Sequence, residues 1–519
     1  MSKFLKGTVI LLLAGFITRM LGFINRIAIA RFIGEEGVGL YMMAYPTLVL
    51  VITITQFGLP VAISKNIAEA EARGEYGKIK KILVVSLATT LTLSAIFTPA
   101  MILLAPWLAE TLFTDSRTYY PLIAIAPVVP IIAVSSVLRG YFQGRQNMKP
   151  SAYSQILEQT FRIALIAVMT KTFLPYGIEF AAAGAMLSAV IGELVSLVYL
   201  MTAFKLKKKF RVRKDFFKFV KSGKQSFKEL MSVAVPTTGS RLIGSVSWFF
   251  EPIVVSHSLG LAGVATALAT KQYGALTGFA MPLLLLPSFI TYSLATSLVP
   301  AISEANSKNN SKLIEHRLQQ ALRFSILTGG ISVAVLYVLA DPLMTLMYGS
   351  SNGAGFIRLM APFFLFYYYQ GPLQAALQAL NLARAAMINS LIGAVIKTAV
   401  IFLLASQPAF GINGVALGLM TGTVLVTLLH FATVLKRISF SFYVVEYLKI
   451  LVVIVVSGYA GFLIYHGFSP DISLLNKVVI STISMAAIYS MLILFLKLIR
   501  PQELKRIPWI GGFLSRLTP

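Results

Sequence analysis

Apolar positions along this chain fall in blocks about twenty residues long, separated by short polar connections. That is the length an α-helix needs to cross the hydrocarbon core of a bilayer, since about 20 residues rising 1.5 Å each cover roughly 30 Å. Fourteen such blocks can be drawn, near residues 7–30, 38–64, 79–106, 119–138, 151–173, 179–204, 229–256, 270–299, 319–346, 355–379, 385–407, 411–435, 446–467 and 474–499. The second and eighth carry prolines and polar residues. In lipid each backbone N–H and C=O must be satisfied within the protein, so the blocks read as helices. The pattern therefore predicts an all-α integral membrane protein of about fourteen transmembrane helices. The first block follows Lys3 and Lys6 and resembles a signal peptide, but it lacks a small-residue cleavage site and continues through Arg19. It reads as a retained first span.

Composition agrees with that pattern. Of 519 residues, 57% are hydrophobic and only 12% charged, with a mean hydropathy of +0.79. A soluble chain would carry roughly a quarter of its residues as charges. A net charge of +26 would suit a nucleic-acid binder if it were clustered on one surface. Here it follows the connections between spans. With the N-terminus inside, 32 lysines and arginines fall on inner connections, five on outer ones (Arg31, Arg117, Lys171, Arg358, Lys477) and eight within spans. This positive-inside bias predicts fourteen spans with both termini cytoplasmic, and it removes nucleic acid as a partner. Cysteine is absent, which excludes disulfides, thiolate metal sites and cysteine nucleophiles.

The chain also repeats itself. Residues 175–186 (PYGIEFAAAGAM) match 409–420 (AFGINGVALGLM), pairing Gly177 with Gly411, Gly184 with Gly418 and Met186 with Met420. A second echo sets Leu59–Ser64 against Val299–Ser303 at nearly the same offset. Six spans separate the copies, so both face the same way, as in a parallel repeat. The organisation expected is a six-helix lobe at 1–204, a basic linker at 205–228, a second six-helix lobe at 229–437, and two extra helices with a basic tail at 438–519. The linker carries eleven basic residues interleaved with Phe210, Phe216, Phe217 and Phe219. It reads either as an interfacial helix on anionic headgroups or as a plain positive-inside linker.

A charge in the bilayer core costs several kcal/mol, so intramembrane charges face the bundle interior or a watery cavity. In the first span Gly15, Arg19, Gly22 and Arg26 share one helix face. In the fifth, Ser151, Gln155, Glu158 and Arg162 do the same, with Glu158 and Arg162 spaced for a mutual ion pair. In the seventh, Thr237, Arg241, Gly244, Trp248 and Glu251 share a face, with Arg241 and Glu251 about 15 Å apart along the axis. Lys65, Lys271 and Lys397 complete the set, Lys397 together with Asn389 and Gly393. Gln370, Gln374, Gln378 and Asn381 give the tenth span a polar face suited to helix–helix bonding. Cations outnumber acids in this set, which suits an anionic substrate. Glu158, Glu193 and Glu251 keep a cation exporter as the alternative. The four histidines lack ligand spacing, and no phosphate loop, zinc motif or nucleophile elbow occurs. No enzyme, metal or cofactor is expected.

The stretch FITRMLGFINR (16–26), leading into ARFIG (30–34), resembles the opening of flippases in the multidrug/oligosaccharidyl-lipid/polysaccharide exporter superfamily. RFIGEEGVGLYMM (31–43), QFGLPVAISK (56–65), SVLRGYFQG (136–144), WFFEPIVV (248–255) and MAPFF (360–364) extend the resemblance over nearly the whole chain and point to the polysaccharide and lipid II flippase branch. The resemblance implies two lobes about a cavity open alternately to either side, and export of a lipid-linked peptidoglycan precursor in spore cortex formation. In that branch arginines of the first span hold the precursor's diphosphate. Arg19 matches one of them; where the family has Arg-Asp after Leu-Gly-Phe-x, this chain has Asn25-Arg26. The expected substrate-binding set is Arg19, Arg26, Lys65, Glu158, Arg162, Arg241, Glu251, Lys271 and Lys397. The expected partners are an anionic lipid-linked glycolipid, membrane lipids and, as candidates, cell-wall synthesis enzymes. A scaffold that recruits such enzymes without transport is a further reading, and buried cations argue against it.

Overall fold

The computed structural model describes residues 3–207, 222–438, 440–441 and 443–499, without side chains for 3–14, 207 and 240. The linker readings at 205–228 and the basic tail fall largely outside these residues. Within them the chain is helical, with no strand. In order the helices are α1 (Lys3–Gln56), α2 (Leu59–Ala72), α3 (Tyr76–Trp107), α4 (Tyr119–Ile125), α5 (Val128–Gly144), α6 (Lys149–Phe173), α7 (Ile178–Lys207), α8 (Lys224–Leu261), α9 (Thr266–Gly274), α10 (Met281–Leu285), α11 (Ser288–Ser307), α12 (Ser311–Val338), α13 (Ala340–Tyr348), α14 (Ala354–Ala379), α15 (Ala383–Ala405), α16 (Ile412–Leu435), α17 (Val444–Gly467) and α18 (Leu474–Phe495).

Every apolar block coincides with helix. Length and composition alone mark ten of the described helices as able to cross a membrane, or eleven if Thr266–Leu285 and Ser288–Ser307 form one broken span. The shortfall from fourteen has physical causes. The stretch Gly15–Ala72 counts once, although Gly34 (φ 64°, ψ −173°) interrupts the helical backbone between the first two blocks. The helices α6 and α14 carry the polar faces of the fifth and tenth blocks and do not pass.

Two compact units emerge from the packing: Met1–Gly278 with Phe402–Ile412, and Phe279–Ile401 with Asn413–Pro519. In the first unit α1 is central, lying against α6, α7, α8 and α9. One end of this unit is a dense apolar core of Leu59, Ile63 and Ile67 from α2, Ile82 and Leu83 from α3, Tyr141 and Phe142 from α5, Leu200 from α7 and Leu230 from α8. The connection between α3 and α4 is fixed by polar contacts. Asp115 accepts from Arg117 at 2.9 Å and from Thr270 of α9 at 2.7 Å, and Arg117 reaches Glu36 of α1. Burial opposes charge on Asp115, yet the hydrogen bonds from Arg117 and Thr270 outweigh it and hold the carboxyl below its usual range. In the second unit α11, α12, α14 and α16 enclose Leu298, Leu318, Leu377 and Val434. The helices α17 and α18 pack on α12 through Ile454, Met485 and Tyr489, whose hydroxyl donates to the Leu327 carbonyl at 2.8 Å.

The repeated glycines have matching structural jobs. Gly177 and Gly411 both take positive φ immediately before α7 and α16. A Cβ at Gly184 would meet the Met169 carbonyl oxygen of α6 at 2.9 Å, and one at Gly418 would meet Ile401 of α15 at 2.5 Å. In both copies a bare backbone lets consecutive helices touch. Gly184→Leu and Gly418→Leu should each lower the detergent melting midpoint, since overpacking costs about 1–3 kcal/mol. Gly77→Leu, with nothing within 4 Å, should not. A carboxyl whose folded pKa is depressed stabilises above its unfolded pKa, and that stability is lost as pH falls through the folded value. Asp115→Asn should therefore lower the midpoint at neutral pH, and the gap from wild type should narrow in scans below about pH 4.

Candidate functional site

Three helices of the first unit, α5, α6 and α7, bring charges together inside the bundle, and α1 adds a tyrosine. At Gly192 of α7 a Cβ would stand 2.8 Å from the Glu158 carbonyl oxygen and 3.3 Å from Arg162 Cβ, so α7 lies directly on α6. The next residue, Glu193, is thereby set beside Glu158; its side chain is 5% exposed. Arg139 of α5 reaches between them. Its Nη2 donates to Glu193 Oε1 at 3.0 Å, to Ser196 Oγ at 3.0 Å and to Glu158 Oε2 at 3.5 Å. Arg162 turns the other way, its Nη2 donating to the Tyr41 hydroxyl of α1 at 3.2 Å. Gln159 donates to Glu158 at 3.3 Å. Arg139 Nε, Arg162 Nε and Gln159 Oε1 are buried and have no hydrogen-bond partner among the described residues.

An aromatic series continues from this cluster. Tyr41 stacks on Tyr45 at 5.6 Å and 16°, and Tyr45 meets the edge of Trp248 of α8 at 5.7 Å. Trp248 stands two turns from Arg241 on the same helix face.

Two expectations change here. Arg139 was counted on an inner connection, but α5 continues to Gly144 and carries it inside the bundle. Hydropathy ended the block at 138; the absence of a turn before Gly144 was the signal that helix persisted. Second, Glu158 has Arg139 as its ion-pair partner at 3.5 Å, while Arg162 hydrogen-bonds Tyr41 and stays within electrostatic reach of Glu158 and Glu193.

The other expected site residues are dispersed. Arg19 is exposed on α1, and Arg26 is half-buried. Their shared face points at α6, because a Cβ on Gly22 would lie 3.9 Å from Gln159 Oε1. Lys65 on α2 and Arg241 on α8 are exposed. Neither they nor Arg26 form an ion pair among the described residues. The helices α2 and α8 meet where Gly58 approaches the Ala234 carbonyl oxygen. Glu251 is buried, within electrostatic reach of Tyr273. Lys271 is half exposed with Nζ 3.9 Å from Glu35 Oε2. Lys397 belongs to the second unit, its stem against Gly422 of α16. On the same helix Asn389 bonds Thr433 at 2.9 Å and Gly393 faces Val426, so this face of α15 is a helix–helix contact. Gln370 likewise bonds the Thr423 carbonyl of α16 at 3.0 Å. Sequence reasoning did not single out Tyr41, Tyr45 or Glu35; aromatic residues in an apolar block give no periodic signal of their own.

Comparison with known proteins places this arrangement. Residues 4–306 match the family model described as polysaccharide biosynthesis protein, and residues 271–403 match the MatE model. The chain is 62% identical over 519 residues to stage V sporulation protein B of Bacillus subtilis (strain 168), covering 99% of each. It is 26% identical over 421 residues to the lipid II flippase MurJ of the same organism, covering 76% of each. Among solved structures it resembles an inward closed conformation of the lipid II flippase MurJ, with a TM-score of 0.66, 16% identity, and coverage of 93% of this chain and 98% of that one. An inward-facing multidrug resistance MATE family transporter aligns with a TM-score of 0.67 and 17% identity over 81% of this chain and 94% of the other. These matches accord with a transporter and not an enzyme. The chain belongs to the polysaccharide biosynthesis protein family and is a multi-pass cell-membrane protein of the flippase and exporter type.

Proposed function

We propose that this protein flips an anionic lipid-linked peptidoglycan precursor, of the lipid II class, across the cell membrane in spore cortex formation. The observation that carries the reading is the surplus of cations within the spans. Arg26, Lys65 and Arg241 lie on three helices of the first unit and form no ion pair among the described residues. A cation left without an acid in a membrane segment is costly unless a ligand or water meets it. Diphosphate meets it best, because guanidinium and ammonium groups bind phosphate oxygens through charge-assisted hydrogen bonds. The similarity to a lipid II flippase and to a stage V sporulation protein supports the same substrate class and setting.

In this reading Arg19, Arg26, Lys65 and Arg241 bind the diphosphate and adjoining sugar. Lys271, drawn toward Glu35, joins when the substrate arrives. Glu158, Arg162 and Glu251 shape the site from behind. Alternating access exposes the site to one side and then the other, while the lipid tail stays in the bilayer. Cell-wall synthases receive the flipped precursor.

The test is flipping of labelled lipid II in proteoliposomes. Arg241→Ala and Lys65→Ala should each reduce the rate about tenfold or more, the effect of losing one charged hydrogen bond of about 1.5–3 kcal/mol. Abundance and melting midpoint should hold, and Arg241→Lys should recover part of the rate. Full activity in both alanine variants would refute the cationic site.

A further inference from the structure

Two carboxylates at the centre of a helix bundle share one guanidinium nitrogen. Glu193 lies near the middle of the 30-residue α7, roughly 22 Å from either end. Arg139 Nη2 brings two hydrogens to three oxygens, those of Glu193, Ser196 and Glu158. The second cation able to balance the pair, Arg162, sits one turn from Glu158 yet is engaged with Tyr41. The two carboxylates converge on one guanidinium nitrogen, with Arg162 within electrostatic reach of both but hydrogen-bonded elsewhere; at low dielectric a shared proton relieves their mutual repulsion. The titratable and charged groups that the packed elements turn to this place are Arg26, Tyr41 and Tyr45 from α1, Arg139 from α5, Glu158 and Arg162 from α6, and Glu193 from α7.

We propose that Glu158 and Glu193 form a proton-binding site that couples transport to the proton gradient, read out through Arg162. With the proton bound, the O–H of one carboxyl donates to the other carboxylate, and Arg162 stays on Tyr41. When the proton leaves to water, the second carboxylate is bare and draws Arg162 from Tyr41 by about one helical turn. Tyr41, stacked on Tyr45, which touches Trp248, carries that change to α8, the helix of Arg241. The ligand is a proton and not a metal cation, because a guanidinium bonded to both acids repels a metal ion. The inference rests on the transport reading above and names its coupling ion.

The experiment uses the full chain with Trp107→Phe and Trp509→Phe, leaving Trp248 as the one tryptophan of three. It is reconstituted in phosphatidylcholine–phosphatidylglycerol vesicles without substrate and titrated from about pH 5 to 9, the range over which buried carboxyls lose protons. Trp248 emission should show a one-proton step that disappears in Glu193→Gln and shrinks by at least half in Tyr41→Phe. In the same vesicles loaded with lipid II, an imposed pH gradient should change wild-type flipping severalfold. Glu193→Gln should flip without responding to the gradient. If Glu193→Gln fails to fold, Glu158→Gln should likewise remove the Trp248 step, which is read without substrate and so is independent of any effect of Glu158 on flipping. No step in wild type, a step that survives both glutamine variants, or one that follows sodium instead of pH would overturn the proposal. Since the step needs no substrate, a wrong substrate leaves it intact. Loss of the step with flipping preserved removes the proton site alone.

Discussion

The constraint on which this molecule turns is the cost of holding charge where water is absent. Arg139 is the clearest case. Placed deep in the bundle by α5, it is tolerable only because Glu193 and Glu158 stand on neighbouring helices to receive it. They stand there only because Gly192 lets α7 lie against α6. A glycine chosen for close packing thus decides where two carboxylates meet, and the carboxylates decide where an arginine can be buried. Arg162 is held to a different partner, Tyr41, and so ties the cluster to the central helix α1.

The same constraint separates two kinds of intramembrane charge. Arg139, Glu158, Glu193 and Lys271 are matched within the protein. Arg26, Lys65 and Arg241 are not matched by acids among the described residues, and two of these three are exposed. Matched charges hold helices in place and can carry protons. Unmatched ones are, in the proposal above, met by an anionic lipid. The proposed transport of a diphosphate lipid draws on both kinds, and the first unit carries both.

Much of this was legible in the chain. Blocks of about twenty apolar residues marked every helix, because the bilayer imposes that length regardless of tertiary detail. The Gly177/Gly411 and Gly184/Gly418 pairs were visible as identities, and in the structure each pair does one job twice. What stayed hidden depends on direction in space. Hydropathy averages over a window, so it cut α5 short at 138 and left Arg139 in a loop. Spacing along one helix suggested a Glu158–Arg162 pair, but rotamers and neighbours sent the two side chains to different helices. Glu35 and Asp115 fall between apolar blocks, and only the fold placed them against Lys271 and Thr270.

The central claim is that unmatched cations select a phosphate-bearing lipid. It is tested most directly by comparing, in proteoliposomes, transbilayer movement of a polyprenyl diphosphate saccharide with that of the same saccharide on an uncharged lipid of equal length. The account predicts that the diphosphate lipid crosses many times faster with protein than without, while the uncharged lipid gains nothing. Equal acceleration of both, or acceleration of the uncharged lipid alone, would contradict it.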